Sequence, residues 1–527
     1  MEGTTNEQQK KGISKGLIAL IVGIVVLAGG TALAFMLIKD SPKNAYFLAE
    51  KDTWEYMVER AEERYQPEFD WYEKTQTDKT ASSLELTAEY NDPAAGSMGY
   101  GMDPATLINN SSIKLDSQTD MENKQVYTGI SANIAGMEIN DLQVFVTDEK
   151  VMVGVPFLEE VLQLNDQDFG PLLHEVDPAT FTGEETLGLD TLFESAGEIF
   201  PEEYKTHIED EYFKLIYDEL PDDAFTSSDE TAEVNGESIN SEKIELHLTE
   251  QQFKDILTTV LDKMEKDDKL KEIIKEQMVA QQFGGIYMED ELDTFTEDFE
   301  ASITEAKDGI EELQIPDGLT SSLWIADNKI VQREFVLEMG TNAEELAKIS
   351  ITGSQLLTDE NQFFDYDVAF SDAYEEGTMN IAGDLNWKDN EATDSINLTV
   401  EDFVLSYDGT ETLADGTREF NRVFTVEDPA SGGGSLHWTG DATYEADKMN
   451  AAHQISLETP DLSQDMFTLN MNTEGQTIDS VETLSEDNVK DLGSMSTTEL
   501  QEYFENDVAP SFQQWLFGLM SSGGMGF

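Results

Sequence analysis

The residues able to do chemistry in this chain are few, and their spacing does not suit it. Ser111-Ser112-Ile113-Lys114 has the Ser-x-x-Lys spacing of acyl-serine enzymes. That chemistry needs a helix to bring serine and lysine together, and the local alternation predicts a strand. No Ser-Asp-Asn or Lys-Thr-Gly companion is present. The five histidines, His174, His207, His247, His437 and His453, are scattered and none makes His-Glu-x-x-His, so they read as surface or satisfied core residues rather than metal ligands. No Gly-x-Ser-x-Gly, Walker loop or Gly-x-Gly-x-x-Gly lies between a strand and a helix.

Paired carboxylates carry no signal, because 110 Asp and Glu place such pairs everywhere, and a glycosidase-type acid/base pair cannot be nominated. Asp408-Gly409-Thr410-Glu411 and Asp415-Gly416-Thr417 offer oxygen ligands of the kind calcium takes. Lacking the Asp-x-Asp-x-Asp-Gly spacing, they read as hairpin turns. Asn109, Asn110 and Asn397 head Asn-x-Ser/Thr triplets, which matter only in a glycosylating pathway. The absence of cysteine excludes disulfides, thiolate zinc sites, iron–sulfur clusters, cysteine nucleophiles and an acylated lipoprotein cysteine. No catalytic, cofactor-binding or metal residue is therefore nominated, no cofactor is expected, and the reading is that of a non-enzyme.

With 31 Lys and Arg against those acids, the 527-residue chain has a formal charge of -79. Such a surface repels phosphate backbones, so nucleic acid is not a partner. Disorder, the other meaning of high charge, is excluded by 27 Phe, 16 Tyr and 6 Trp in mostly periodic segments. The acids are spread along the chain and give a halophile-like surface that depends on counter-cations for screening.

The elements that would position any site begin with Leu17 to Ile38, LIALIVGIVVLAGGTALAFMLI, an uncharged stretch long enough for a transmembrane helix. Lys10, Lys11 and Lys15 precede it, so the positive-inside rule puts the N-terminus in the cytoplasm and the rest outside, as an extracellular ectodomain on a single-pass cell-membrane protein. Ala32-Leu33-Ala34 allows the alternative of a cleaved signal peptide.

Beyond it the spacing predicts a helix over 46–72, interrupted at Pro67, and strands at 84–90, 113–115, 126–134, 142–146 and 151–157. The loop 91–110 reads as a mobile rim, and 222–240 as an acidic linker. Helices are expected over 204–220, 249–278 (with a Thr249/Gln252 capping box) and 289–313. From Ser321 the period returns to two, with turn chemistry at Asp327-Asn328 and Asp408-Gly409, and an amphipathic helix closes the chain at 497–520. The organisation expected is a tail (1–16), the transmembrane helix (17–38), a juxtamembrane helix (39–80), a first β-rich module with helices (81–240), a helical segment (241–320), a second antiparallel β module (321–485) and a C-terminal helix and tail (486–527). The fold class is α+β: an N-terminal transmembrane helix followed by a large antiparallel, curved β-sheet assembly with inserted helices packed on it.

This order of elements over 45–485 resembles the LolA/LppX-like lipoprotein-carrier fold. The resemblance implies a curved sheet holding helices on its concave side with apolar ligands between them. The layout of Lys-rich tail, apolar run and Ser41-Pro42-Lys43-Asn44-Ala45-Tyr46-Phe47-Leu48-Ala49-Glu50 resembles an uncharacterised family of single-pass surface proteins of Gram-positive bacteria. The functional expectation is a membrane-tethered, extracytoplasmic, non-catalytic binding protein for a lipid or another apolar envelope ligand. The ligand would lie beneath helices 249–278 and 289–313, with the 91–110 loop as its gate. The alternatives are a scaffolding surface protein contacting an envelope protein through acidic helices and sheet edges, and an envelope hydrolase.

Overall fold

The structure, a computed structural model, describes residues 41–91, 104–189, 193, 201–281, 289–343, 345–430 and 432–522. It opens with helices α1 (Pro42–Arg64) and α2 (Gln66–Thr77). Ser41 caps α1 by accepting the Asn44 N–H at 3.2 Å. Pro67 falls in the first turn of α2, where its missing N–H costs nothing. There follow β1 (Thr80–Tyr90), α3 (Pro104–Asn109), β2 (Ser112–Asp120), β3 (Gln125–Ile134), β4 (Met137–Thr147), β5 (Lys150–Gly154), β6 (Val161–Asn165), α4 (Asp166–Val176), α5 (Glu202–Ile208) and α6 (Lys214–Glu219). Then come β7 (Phe225–Val234), β8 (Glu237–Leu248), α7 (Glu250–Lys266), α8 (Asp268–Gln281) and α9 (Glu289–Glu312). A run of strands follows: β9 (Leu319–Ala326), β10 (Lys329–Met339), β11 (Ala347–Leu357), β12 (Asn361–Ser371), β13 (Glu376–Lys388) and β14 (Glu391–Val400). It continues through β15 (Phe403–Ala414), β16 (Thr417–Glu427), β17 (Gly434–Tyr444), β18 (Lys448–Glu458) and β19 (Phe467–Thr477), before the short β20 (Val489–Asp491), α10 (Thr497–Tyr503) and α11 (Ala509–Ser522).

All these strands belong to one 20-stranded sheet. From β7 to β19 each strand pairs antiparallel with the next. The last long strand then meets the first, Thr80↔Thr477 through Tyr90↔Phe467, so β1 to β6 extend the same sheet and β20 runs parallel to β6. Two-residue turns with positive φ set the register, as at Asp327-Asn328 (50° and 61°) and Asp415-Gly416 (53° and 79°). Asp408-Gly409, expected as a turn, instead lies inside β15, paired on both sides. The expected acidic linker holds β7, joined to β8 through Asn235-Gly236.

The principal core sits at one end of the sheet. Phe253, Ile256, Leu257, Val260 and Leu261 of α7 meet Ile303 and Ile310 of α9 and Ile244, Leu323, Ile330 and Leu337 of β8 to β10. The Thr249/Gln252 capping box forms as expected. The helix expected over 249–278 breaks at Asp267, whose carboxylate accepts the Leu270 N–H at 3.0 Å and starts α8.

The expected fold class is corrected. One continuous sheet dominates the molecule, and no helix among the described residues is long and apolar enough to cross a membrane. The run 17–38, on which the span was placed, lies outside the described residues, as does 92–103 of the expected gating loop.

Candidate functional site

Directly opposed residues of an antiparallel pair share a face, so register sorts the side chains of the sheet. One series runs Tyr366, Ile381, Leu398, Leu405, Val426 across β12 to β16. Beside it run Ile396, Tyr407, Phe424, Leu436 and Leu457 across β14 to β18, then Met471, Leu86 and Ile113 across β19, β1 and β2. Over β12 to β18 the opposite face is mostly polar, with Asn380 donating to Asp365 (2.8 Å) and Asp367 (2.9 Å) and Asn361 to Asn386 (2.8 Å); apolar clusters occur on it only toward the sheet's ends, around Trp324 and Phe363 and around Tyr127 and Phe145. The sheet therefore has an apolar face and an acidic face.

Away from the helix-covered end, the described residues leave the apolar face open. Phe370, Val400, Phe403, Leu457 and Ile113, all on it, are 38–46% exposed. The four steps along a strand from Ile396 to Val400 measure ~13 Å, and nine strand spacings from β12 to β2 measure ~43 Å. The footprint is on the order of 600 Å², the size of the largest apolar patches on ordinary monomers, which are often functional.

The helices α1 and α2 cross this face at one end of the strands. Tyr46 meets Ser321 of β9 (2.7 Å), Glu50 meets Arg333 of β10 (2.5 Å), and Arg60 donates to the Asp359 carbonyl (3.3 Å) and lies over Trp387. Arg64 grips Asp394 with two bonds of 3.1 and 2.6 Å and donates to Glu411 at 3.3 Å. Arg418 joins Glu411 (3.0 Å) to Glu68 (2.6 Å), and Arg422 donates to Glu411 at 2.6 Å while lying over Phe420 and Trp438. Trp71 covers Gly475 of β19. These five, Arg60, Arg64, Arg333, Arg418 and Arg422, are every arginine in the chain.

From Tyr46 to Trp71 the helices advance ~38 Å, whereas the strand spacings from β9 to β19 total ~48 Å. The Tyr46 and Trp71 side chains at the two ends reach across the remaining distance.

Burial by itself raises the Glu411 carboxyl, but the charge of Arg64 and the bond from Arg422 outweigh it and hold the group below its usual range. Glu50 is raised, since burial outweighs its pairing with Arg333. Between α1 and β12 to β15 a cavity of about 220 Å³ remains, floored by Trp387, Ile396 and Tyr407 and continuous with the apolar face.

The residues singled out from sequence are not brought together. Ser111 donates to the Leu107 carbonyl, Ser112 and Lys114 lie on β2, and Lys114 pairs with Asp116 at 2.9 Å. His174 contacts the Phe181 carbonyl, His207 pairs with Asp267, His247 with Thr320 and His437 with Glu458, and His453 accepts from Trp438. No group of three or more metal-ligating side chains occurs among the described residues. Asn109 bonds the Tyr90 backbone, the Asn110 side chain donates to the Thr106 carbonyl, and Asn397 accepts from Ser406. The space expected beneath helices 249–278 and 289–313 is filled by packed core. What the sequence reading missed is that the arginines converge. Their signal was rarity: an acidic chain with few guanidinium groups places them against buried carboxylates.

No family model and no curated protein matches the chain. Among solved structures it is similar to OccK9 (OpdG) of Pseudomonas aeruginosa, with 6% identity over 76% of this chain and 97% of that one and a TM-score of 0.24. A BenF-like porin from Pseudomonas fluorescens Pf-5 gives 6% identity, 76% and 98% coverage and 0.24. OccAB2 of Acinetobacter baumannii gives 6%, 76% and 97% coverage and 0.24. Scores at this level assign neither fold nor function. The single-pass, cell-membrane assignment, with a membrane partner at the N-terminus and an extracellular ectodomain, is corrected here as well. The described residues hold no helix long and apolar enough to cross a membrane, and the run 17–38 lies outside them.

Proposed function

We propose that the chain is a non-catalytic binding protein that holds an apolar or amphiphilic molecule on the open apolar face of its sheet. One observation carries this reading: an apolar face as large as the largest patches of ordinary monomers, left open by the described residues while most of the acids take the opposite face. The lipoprotein-carrier resemblance enters as part of the proposal, with the ligand moved from beneath the middle helices to the strands beyond α1.

The test is titration of the full chain with N-phenyl-1-naphthylamine, an uncharged apolar fluorophore, together with native mass spectrometry for co-purified apolar molecules. Val400→Asp with Leu457→Asp places charge on two positions already about 40% exposed, so folding is preserved. Saturable probe binding that falls about tenfold or more in this variant is the expected result. Binding that is absent, or indifferent to the substitutions, overturns the reading and favours a scaffold whose apolar face is covered by a partner protein.

A further inference from the structure

The cavity under α1 and the charge bookkeeping around it narrow the ligand class, on the basis of the binding reading above. The cavity of about 220 Å³ is smaller than the ~300–1,000 Å³ of pockets that enclose a whole small-molecule ligand. It has room for the head of an amphiphile and its first carbons, not for the whole molecule. The exit is apolar: Ile396 in the cavity is followed on the same face by Leu398 and Val400 along β14, and flanked by Tyr407 and Leu405 on β15. A chain leaving the cavity along this line has ~13 Å of continuous apolar strand beneath it.

The head end is decided by charge. The two arginines that line the cavity are both engaged, Arg64 by Asp394 and Glu411 and Arg60 by Glu63 and the Asp359 carbonyl. An anionic head at Arg64 would have to break a buried pair, which costs several kcal/mol, and at Arg60 it would meet Glu63 and the lining residues Asp359 and Glu360. The chain's charge of -79 adds long-range repulsion against any anion. Gln362 and Tyr407 supply neutral donors and acceptors in the same lining. The geometry points to an amphiphile whose head carries no negative charge, with hydroxyl or amide groups of that head held under α1 and its hydrocarbon chain laid along β14 and β15.

Monooleoylglycerol and oleate share a hydrocarbon chain and differ in head charge. Both are titrated into the full chain at mildly alkaline pH in molar salt, where the Debye length of ~3 Å removes the long-range term. The expected result is about tenfold or greater preference for monooleoylglycerol. Ala61 is exposed on α1 and lines the cavity, so Ala61→Trp fills it without disturbing the core. This variant loses monooleoylglycerol affinity by about tenfold or more and still binds N-phenyl-1-naphthylamine on the open face. Oleate binding as tightly as monooleoylglycerol, or Ala61→Trp leaving monooleoylglycerol affinity unchanged while the fluorophore binds, overturns the inference. Failure of the fluorophore to bind the unaltered chain overturns the underlying reading instead.

Discussion

Glu411 shows how much one residue can hold in place. It is 3% exposed and accepts bonds from Arg64, Arg418, Arg422 and the Tyr65 hydroxyl, tying both helices of the crossing to two strands. Glu411→Gln leaves three guanidinium groups short of charge and is expected to cost about 3–5 kcal/mol at neutral pH, measured by denaturant unfolding. The pH dependence has a definite sign. The folded carboxyl is held below its ordinary value, so its stabilising contribution is fully present above the unfolded pKa of about 4.3. That contribution is lost as pH falls through the lower folded value. The gap between the native chain and Glu411→Gln should therefore shrink on acidification. Glu50 is shifted upward and acts in the opposite sense, destabilising the fold at neutral pH relative to acid, so the comparison has to be made on the variant pair. None of this was legible locally, because Arg64 and Asp394 are 330 residues apart in the chain.

At the scale of elements, aromatic rings are laid over glycines on the apolar face. Phe364 covers Gly383, Tyr407 covers Gly409, Phe420 covers Gly440 and Trp71 covers Gly475. A Cβ at Gly383 would fall inside the contact radius of the Phe364 ring. Gly383→Val is expected to destabilise by about 1–3 kcal/mol in thermal or denaturant melts, despite the β propensity of valine. The capping box of α7 gives a milder prediction: Thr249→Ala removes the acceptor for the Gln252 N–H and should cost about 1 kcal/mol. Sequence spacing read these elements well. The alternations at Phe364 to Phe370 and Ile396 to Val400 became strands with their apolar members on one side, and the turn at Asp327-Asn328 stands where it was expected. Asp408-Gly409 misled, because the same dipeptide that makes a turn also lets a ring lie flat inside a strand: Gly409 makes room for Tyr407.

At the scale of the molecule, the charge of -79 is sorted by face. Between β12 and β16 the acids on the apolar side include Asp394 and Glu411, both neutralised by arginine, while Asp365, Asp367, Asp384 and Asp408 lie on the acidic side. Such rows repel one another across ~5 Å strand spacings, so cations that screen them should stabilise the fold. The melting temperature is expected to rise between low and molar salt. An unchanged midpoint would mean that the rows are held by their Asn bridges alone.

What the sequence determined by itself was the two-fold period, most of the turn residues and the acidity. Each of these is local or compositional. The tertiary structure decided that β19 closes onto β1, that the middle helices fill a dry core at one end, and that α1 and α2 lie across the face left open. Alternation tells a strand which side is apolar and nothing about what covers it. Coverage depends on contacts between segments hundreds of residues apart, and over α1 and α2 many of those contacts are made by the chain's arginines.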